Sequence, residues 1–317
     1  MKLTSFLYES KEYIGVLQGD RMINLTILNN LYKKQHLVDS TIPNNLEQFI
    51  ENHITLIPYA EKLLEYFEEN SIEDQGITCS LSEVDILAPL TKPEKIICVG
   101  LNYLDHCKET GMEPPAAPVI FSKYANAIIG HKDDIECPVN SNQVDFEAEL
   151  VVVIGKEAKW ISEEEAEDYI FGYTIMNDVS ARDIQFADGQ WVRGKSPDTF
   201  APIGPVIVTK DQIENPHQLD ISLTLNGEIM QQSNTKNLIH TIPTIISYLS
   251  QSMTLKPGDI IATGTPPGVG MGRDPKVWLN KGDELSITIE HIGTLTNYVK
   301  KPTAPEKNSN KESLLSN

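Results

Sequence analysis

A chain of 317 residues exceeds one average domain and can bury a core without disulfide staples. Its formal charge of −19 repels phosphate backbones and anionic lipid, which argues against nucleic acid and membrane surfaces as partners. An anionic metabolite can still bind, but only where cations are gathered locally.

The opening "MKLTSFLYESKEYIG" mixes acids with bases and has neither a signal core nor an Arg-rich transit pattern. It reads as cytoplasmic, with a mitochondrial location left open. No apolar run approaches the ~18 residues that span a bilayer. Residues 1–88 read as a small N-terminal α/β module. Apolar runs at Leu3–Leu7, Tyr13–Leu17 and Met22–Leu25 suggest a β-meander. Leu46, Phe49, Ile50 and Ile54, then Leu63, Leu64 and Phe67 beyond Pro58, keep helical spacing and predict two short helices. The prolines of "LAPLTKPEK" mark a linker, and "IICVG" opens a larger domain over 93–300. That domain is strand-rich, through "ELVVVIGK", "GYTIMND", "GPVIVT", "ISLTLNGE", "GDIIATG" and "LSITIEHIG". One helix is expected where Ser162 and Glu165 form a capping box ahead of Ala166, Tyr169 and Ile170. The segment 303–317 is polar and reads as a disordered tail. Cys79, Cys98, Cys107 and Cys137 show no C-x-x-C spacing, so free thiols are expected rather than a zinc site.

In "VDFEAELVVVIGK", strand alternation puts Glu147 and Glu149 on one face. Two like charges there mean either a solvent-facing strand edge or a site with something positive between them. Asp178 ends the next strand-like run and can reach the same place. Three carboxylates without thiolate or imidazole at ligand spacing favour a hard cation, Mg²⁺ or Mn²⁺, over zinc, with Ca²⁺ in the same class. Upstream, His106 and Glu109 are three apart, either a carboxylate-oriented general base or a surface ion pair.

Gly189–Ser196, "GQWVRGKS", matches the letters of a phosphate-binding loop, but its context does not. Trp191, Val192 and Arg193 are bulky, and "SPDTFAPIGP" cannot continue as the helix that would face a phosphate.

"VGLNYLDHCKE", "FSKYANAIIG", "DFEAELVVVIGK", "GYTIMNDVSARDIQ", "WVRGKSPDTFAPIGP", "LNGEIMQ" and "GDIIATGTPPGVG" resemble, in order and spacing, the fumarylacetoacetate hydrolase family over about Pro93–Lys300. The resemblance implies an α+β, strand-rich fold, a mixed β-sheet roll, in a homodimeric metal-dependent enzyme. It implies Glu147, Glu149 and Asp178 as metal ligands, and His106 and Glu109 as a catalytic dyad on a short lid. Lys195 matches the lysine that contacts a developing enolate. Arg182 and Gln185 match pocket-lining positions, Thr265 a contact to a ligand carboxylate, and Lys123 the lysine of "FSK". The expected substrate is a small anionic 2-oxo acid chelated through its carboxylate and C2 oxygen. One enolate serves keto–enol tautomerisation, carbon–carbon hydrolysis of acylpyruvate or fumarylpyruvate type, and oxaloacetate decarboxylation. The branch that shares "DHCKE", "DVSARD" and "QSNT" makes oxaloacetate tautomerisation the leading expectation.

Overall fold

The computed structural model describes residues 1–70, 72, 76–111 and 113–301, so the tail expected over 303–317 lies outside the described residues. The N-terminal meander forms as β1 (Lys2–Tyr8), β2 (Lys11–Gln18) and β3 (Arg21–Asn24), with β4 (Thr78–Ser80) added beside β3. It does not stand apart. β1 pairs antiparallel with the Ala201–Thr209 strand, Leu3 opposite Ile207, so residues from both sides of the proline linker build one 12-stranded mixed sheet. Beyond Ala201–Thr209 the order continues through Ile170–Asn177, Ala148–Ile154, Ile260–Ala262 and Ile96–Gly100 to Val119–Lys123 at the edge. A second, five-stranded sheet includes the hairpin of Asp220–Leu225 with Glu228–Asn234.

Every residue of Ala148–Ile154, Ile170–Asn177 and Ala201–Thr209 is buried. Both faces of these strands are therefore covered, which explains their near-continuous apolar sequences. It also removes the solvent-facing reading of Glu149, which is 2% exposed. A single core cluster runs from Leu3 and Phe49 in the N-terminal segment to Ile287 near the other end.

The helices differ from expectation in three places. Asn24 ends β3 and caps α1 (Leu25–Gln35), its side chain accepting from Ile27 N, so the apolar run ending at Leu25 turns directly into a helix. After α2 (Leu46–Glu51) the break falls at Asn52, and α3 (His53–Glu69) passes through Pro58. The bond Pro58 cannot donate would end on the carbonyl of Ile54, whose residue is exposed, so water can satisfy it. Ser162 N does donate to Glu165 Oε2 at 2.8 Å, but only one 3₁₀ turn follows, Ala166–Tyr169, because Ile170 already starts a central strand.

His131 gives this architecture a pH dependence. Its Nδ1 accepts from the amide of Thr296, and burial, aided by Lys132, pushes its pKa down to about 4. The unfolded chain, with an ordinary value of about 6.5, binds the proton first, so this neutral ring stabilises fully above that pH and progressively less toward 4. His131→Asn keeps an acceptor and cannot titrate. The urea midpoint of the variant should fall less steeply between pH 6.5 and 4; identical slopes would refute the assignment.

Candidate active site

Ala148 pairs with Asn177, so the ends of two central strands meet where the acids lie. The junction is locked twice: Glu147 N donates to Asn177 Oδ1 at 3.0 Å, and Asp178 N donates to Glu147 O at 2.9 Å. Glu147, Glu149 and Asp178 each bring one carboxylate oxygen to within 4.8 Å of the others, and all three are buried.

Cations enter from three directions. Lys195, at the end of α6 (Val192–Lys195), donates to Glu147 Oε2 at 2.6 Å and Asp178 Oδ2 at 2.8 Å. Lys123, ending its edge strand, reaches Asp178 Oδ1 at 2.5 Å and Val179 O at 2.9 Å. Arg182, at the start of α5 (Arg182–Ala187), donates to Glu147 Oε1, Asp145 Oδ2 and Gln185 Oε1. Buried Asp145, Glu147, Glu149 and Asp178 thus face buried Lys123, Arg182 and Lys195, four carboxyl groups against three basic side chains. Among the described residues the ion pairs fall on the other three acids, and Glu149 Oε2 has the Gly264 amide at 2.9 Å.

The pKa shifts follow this imbalance. Burial followed by repulsion from Asp178 and Glu147 pushes Glu149 well above the usual carboxylate range. Burial also acts on Glu147, but Arg182 and Lys195 outweigh it and hold that group far below. Lys195 is raised, its burial overcome by Asp178 and Glu147, whereas for Lys123 burial prevails and the value falls. Excess buried negative charge on clustered hard oxygens fits a divalent cation of the Mg²⁺ or Mn²⁺ class.

α4 (Leu104–Thr110) brings the second group. His106 Nδ1 lies 3.1 Å from Glu109 Oε2, and the other Glu109 oxygen accepts from Gly268 N at 2.9 Å. Burial raises the Glu109 pKa, but the His106 contact and the Gly268 amide dominate and lower it, so the group is anionic at neutral pH. An anionic carboxylate only accepts, so in this contact Nδ1 is the donor. Asp105 anchors the helix start, accepting from Ser233 Oγ and Asn237 Nδ2.

His106, Glu147, Glu149, Lys195 and Thr265 line one cavity of about 300 Å³, together with Arg182 and Gln185. Of the remaining residues singled out in the sequence, Glu109 and Asp178 bond lining residues directly, and Lys123 bonds Asp178. Lys195 of the phosphate-loop look-alike is therefore held by carboxylates.

Sequence reasoning missed Asp145 and Gln231. Asp145 accepts from Gly270 N, Met271 N and Arg182 Nε, tying the "GTPPGVGMG" loop to the guanidinium. It shares the two-residue spacing of Glu147 and Glu149, a signal that was available. Gln231 donates to Thr265 Oγ1 and Pro266 O while accepting from Ala148 N, and no local pattern marks it.

A tight packing point supports Lys195. A Cβ on Gly194 would sit 2.5 Å from Gln185 N and 2.6 Å from its Cα, so Gly194→Ala must push α6 from α5 and carry Lys195 with it. A displacement near 1 Å typically lowers turnover ~10²-fold. Circular dichroism should stay native; full activity in the variant would show that Lys195 needs no such registration.

The arrangement is a carboxylate-rich pocket with a histidine–glutamate pair beside it, at the end of a strand-rich α+β fold. Residues 95–300 match the family described as "Fumarylacetoacetate (FAA) hydrolase C-terminal", and the chain belongs to that family of enzymes. It is 46% identical over 262 residues to "Oxaloacetate tautomerase Fahd2a, mitochondrial" of Rattus norvegicus, covering 82% of this chain and 81% of the rat protein. Among solved structures it resembles a fumarylacetoacetate hydrolase from Exiguobacterium antarcticum, with a TM-score of 0.78 and 35% identity over 95% of this chain and 100% of the other. It also resembles maleylpyruvate hydrolase from Sphingobium sp. SYK-6 in complex with manganese(II) and pyruvate, with a TM-score of 0.73 and 30% identity over 95% of this chain and 99% of that one.

Proposed function

We propose that this chain interconverts the enol and keto forms of oxaloacetate, with Mg²⁺ or Mn²⁺ held by Glu147, Glu149 and Asp178. The observation that carries this reading is the His106–Glu109 dyad across one small cavity from the carboxylate cluster and Lys195. A volume of about 300 Å³ suits a four-carbon diacid.

A divalent cation bound there supplies Lewis-acid polarisation of a 2-oxo acid's carbonyl. The protein's own groups do the rest. Lys195 Nζ, fixed between Glu147 and Asp178, stabilises charge on the C2 oxygen as its enol proton leaves. His106, its ring oriented by Glu109, accepts that enol proton on Nε2 and delivers it to C3, and carries it from C3 back to the oxygen in the reverse direction. Thr265 and Gln185 hold the substrate's carboxylates. Arg182, shared among Asp145, Glu147 and Gln185, offers its remaining N–H groups to the distal end.

The test is purified protein with Mg²⁺ on enol-oxaloacetate and acetylpyruvate. Rapid loss of enol absorbance without matching pyruvate release supports tautomerisation. Efficient release of acetate and pyruvate from acetylpyruvate, with enol decay no faster than with metal alone, assigns hydrolysis instead; pyruvate release from oxaloacetate assigns decarboxylation.

A homodimer is part of the reading, supported by family membership. Sedimentation at monomer mass would overturn it. No helix among the described residues is long and apolar enough to cross a membrane. The cytoplasmic placement read from the first residues contrasts with the rat relative, whose name carries "mitochondrial". Cell fractionation decides, and co-purification with a mitochondrial matrix marker rejects the cytoplasm.

A further inference from the structure

Beside the 300 Å³ cavity lies a second, about 700 Å³ in volume, and the two share Phe121 and Trp191 in their linings. The rings meet edge to face, centroids 5.4 Å apart and planes at 68°. Both are fixed to the site's machinery. Trp191 O accepts from Lys195 N at 3.1 Å, so the indole and the ammonium belong to the same turn. Phe121 is two residues before Lys123 on one strand, which puts both on the same face, and its ring lies 4.8 Å from Lys195 Nζ. The indole edge closes onto the bare α-carbon of Gly100, where a Cβ would stand 2.7 Å from Cζ3. On the far side, Ile96, Ile97, Val119, Val192 and Met253 offer an apolar lining, with Glu94 and Lys95 among the few charged groups.

We propose that the Phe121–Trp191 pair is a specificity wall: it holds the pocket to short 2-oxo acids, and without it the site extends into the neighbouring groove and accepts unbranched alkyl 2-oxo acids. The inference rests on the reading of the smaller cavity as a 2-oxo acid site. The rings close this side of the smaller cavity, so a substrate longer than a short diacid would meet them. With the indole gone, each methylene placed in the groove leaves water, which is worth about fourfold in affinity.

Calorimetric titration with pyruvate and with 2-oxooctanoate, at saturating Mg²⁺, tests this without relying on turnover. The wild type should bind 2-oxooctanoate no better than pyruvate. Trp191→Ala should raise the preference for 2-oxooctanoate over pyruvate at least about tenfold, whereas Trp191→Phe, which keeps a ring in place, should remain near the wild type. Phe121→Ala is measured in the same series, so that misfolding of one variant leaves the other to decide. Pyruvate binding with an unchanged chain-length preference in the opened variants overturns the wall alone. No pyruvate binding to the folded wild type overturns the 2-oxo acid reading, and the wall with it.

Discussion

His106→Ala should slow enzyme-dependent enol-oxaloacetate decay by about 10²–10⁴-fold, the range for loss of one positioned acid–base group. The ring is buried on α4, and its orientation comes from a carboxylate that is itself fixed by the Gly268 amide. Glu109→Gln should have a smaller effect, because an amide can still accept from Nδ1 but gives a cationic imidazole no charge support. Neither residue belongs to the carboxylate cluster, so calorimetric Mg²⁺ affinity should be unchanged in both. Activity in His106→Ala within a few-fold of wild type would remove the dyad from the mechanism.

The second large effect concerns Glu149. Glu149→Gln keeps an oxygen to accept from Gly264 N but removes the buried carboxylate that has no ion-pair partner among the described residues. Two changes of opposite sign should follow. Metal-free protein should melt higher, because the variant loses a carboxyl whose charged form is penalised by burial and by Asp178 and Glu147. The stabilisation by Mg²⁺, about 2.7 kcal/mol at a hundredfold excess over its dissociation constant in the wild type, should vanish. Thermal unfolding with chelator and with millimolar Mg²⁺ reads both. A wild-type-sized Mg²⁺ shift in the variant would place the metal elsewhere.

Much of this site was legible because its chemistry is local in sequence. Alternation placed Glu147 beside Glu149, the strand end at Asn177 delivered Asp178, and three-residue spacing paired His106 with Glu109. What stayed hidden depends on contacts between distant segments. Asp145 draws its amides from positions 125 and 126 residues away, and Gln231 reaches across 83 residues to Ala148. The α+β character was legible from the succession of apolar runs, whereas the course of α3 through Pro58 was not. A proline is tolerated where the orphaned carbonyl meets water, which depends on the helix's outer face.

The union of the N-terminal meander with the main sheet bears on how the chain folds. Thr4 Oγ1 donates to Pro205 O, and the two residues are 201 positions apart. Closing a loop of that length is entropically unfavourable and gains nothing until the intervening strands are in place. β1–β3 can pair with one another early, whereas the seam between β1 and Ala201–Thr209 joins segments about 200 residues apart and is expected to form later than the pairing of Ile170–Asn177 with Ala201–Thr209. Pulse-labelled hydrogen exchange during refolding should therefore find the amides of Ala148–Ile154 and Ile170–Asn177 protected before those that bridge the seam. The end of the sheet that carries the carboxylate cluster would then be assembled first, and the N-terminal strands would dock onto a sheet that already holds it.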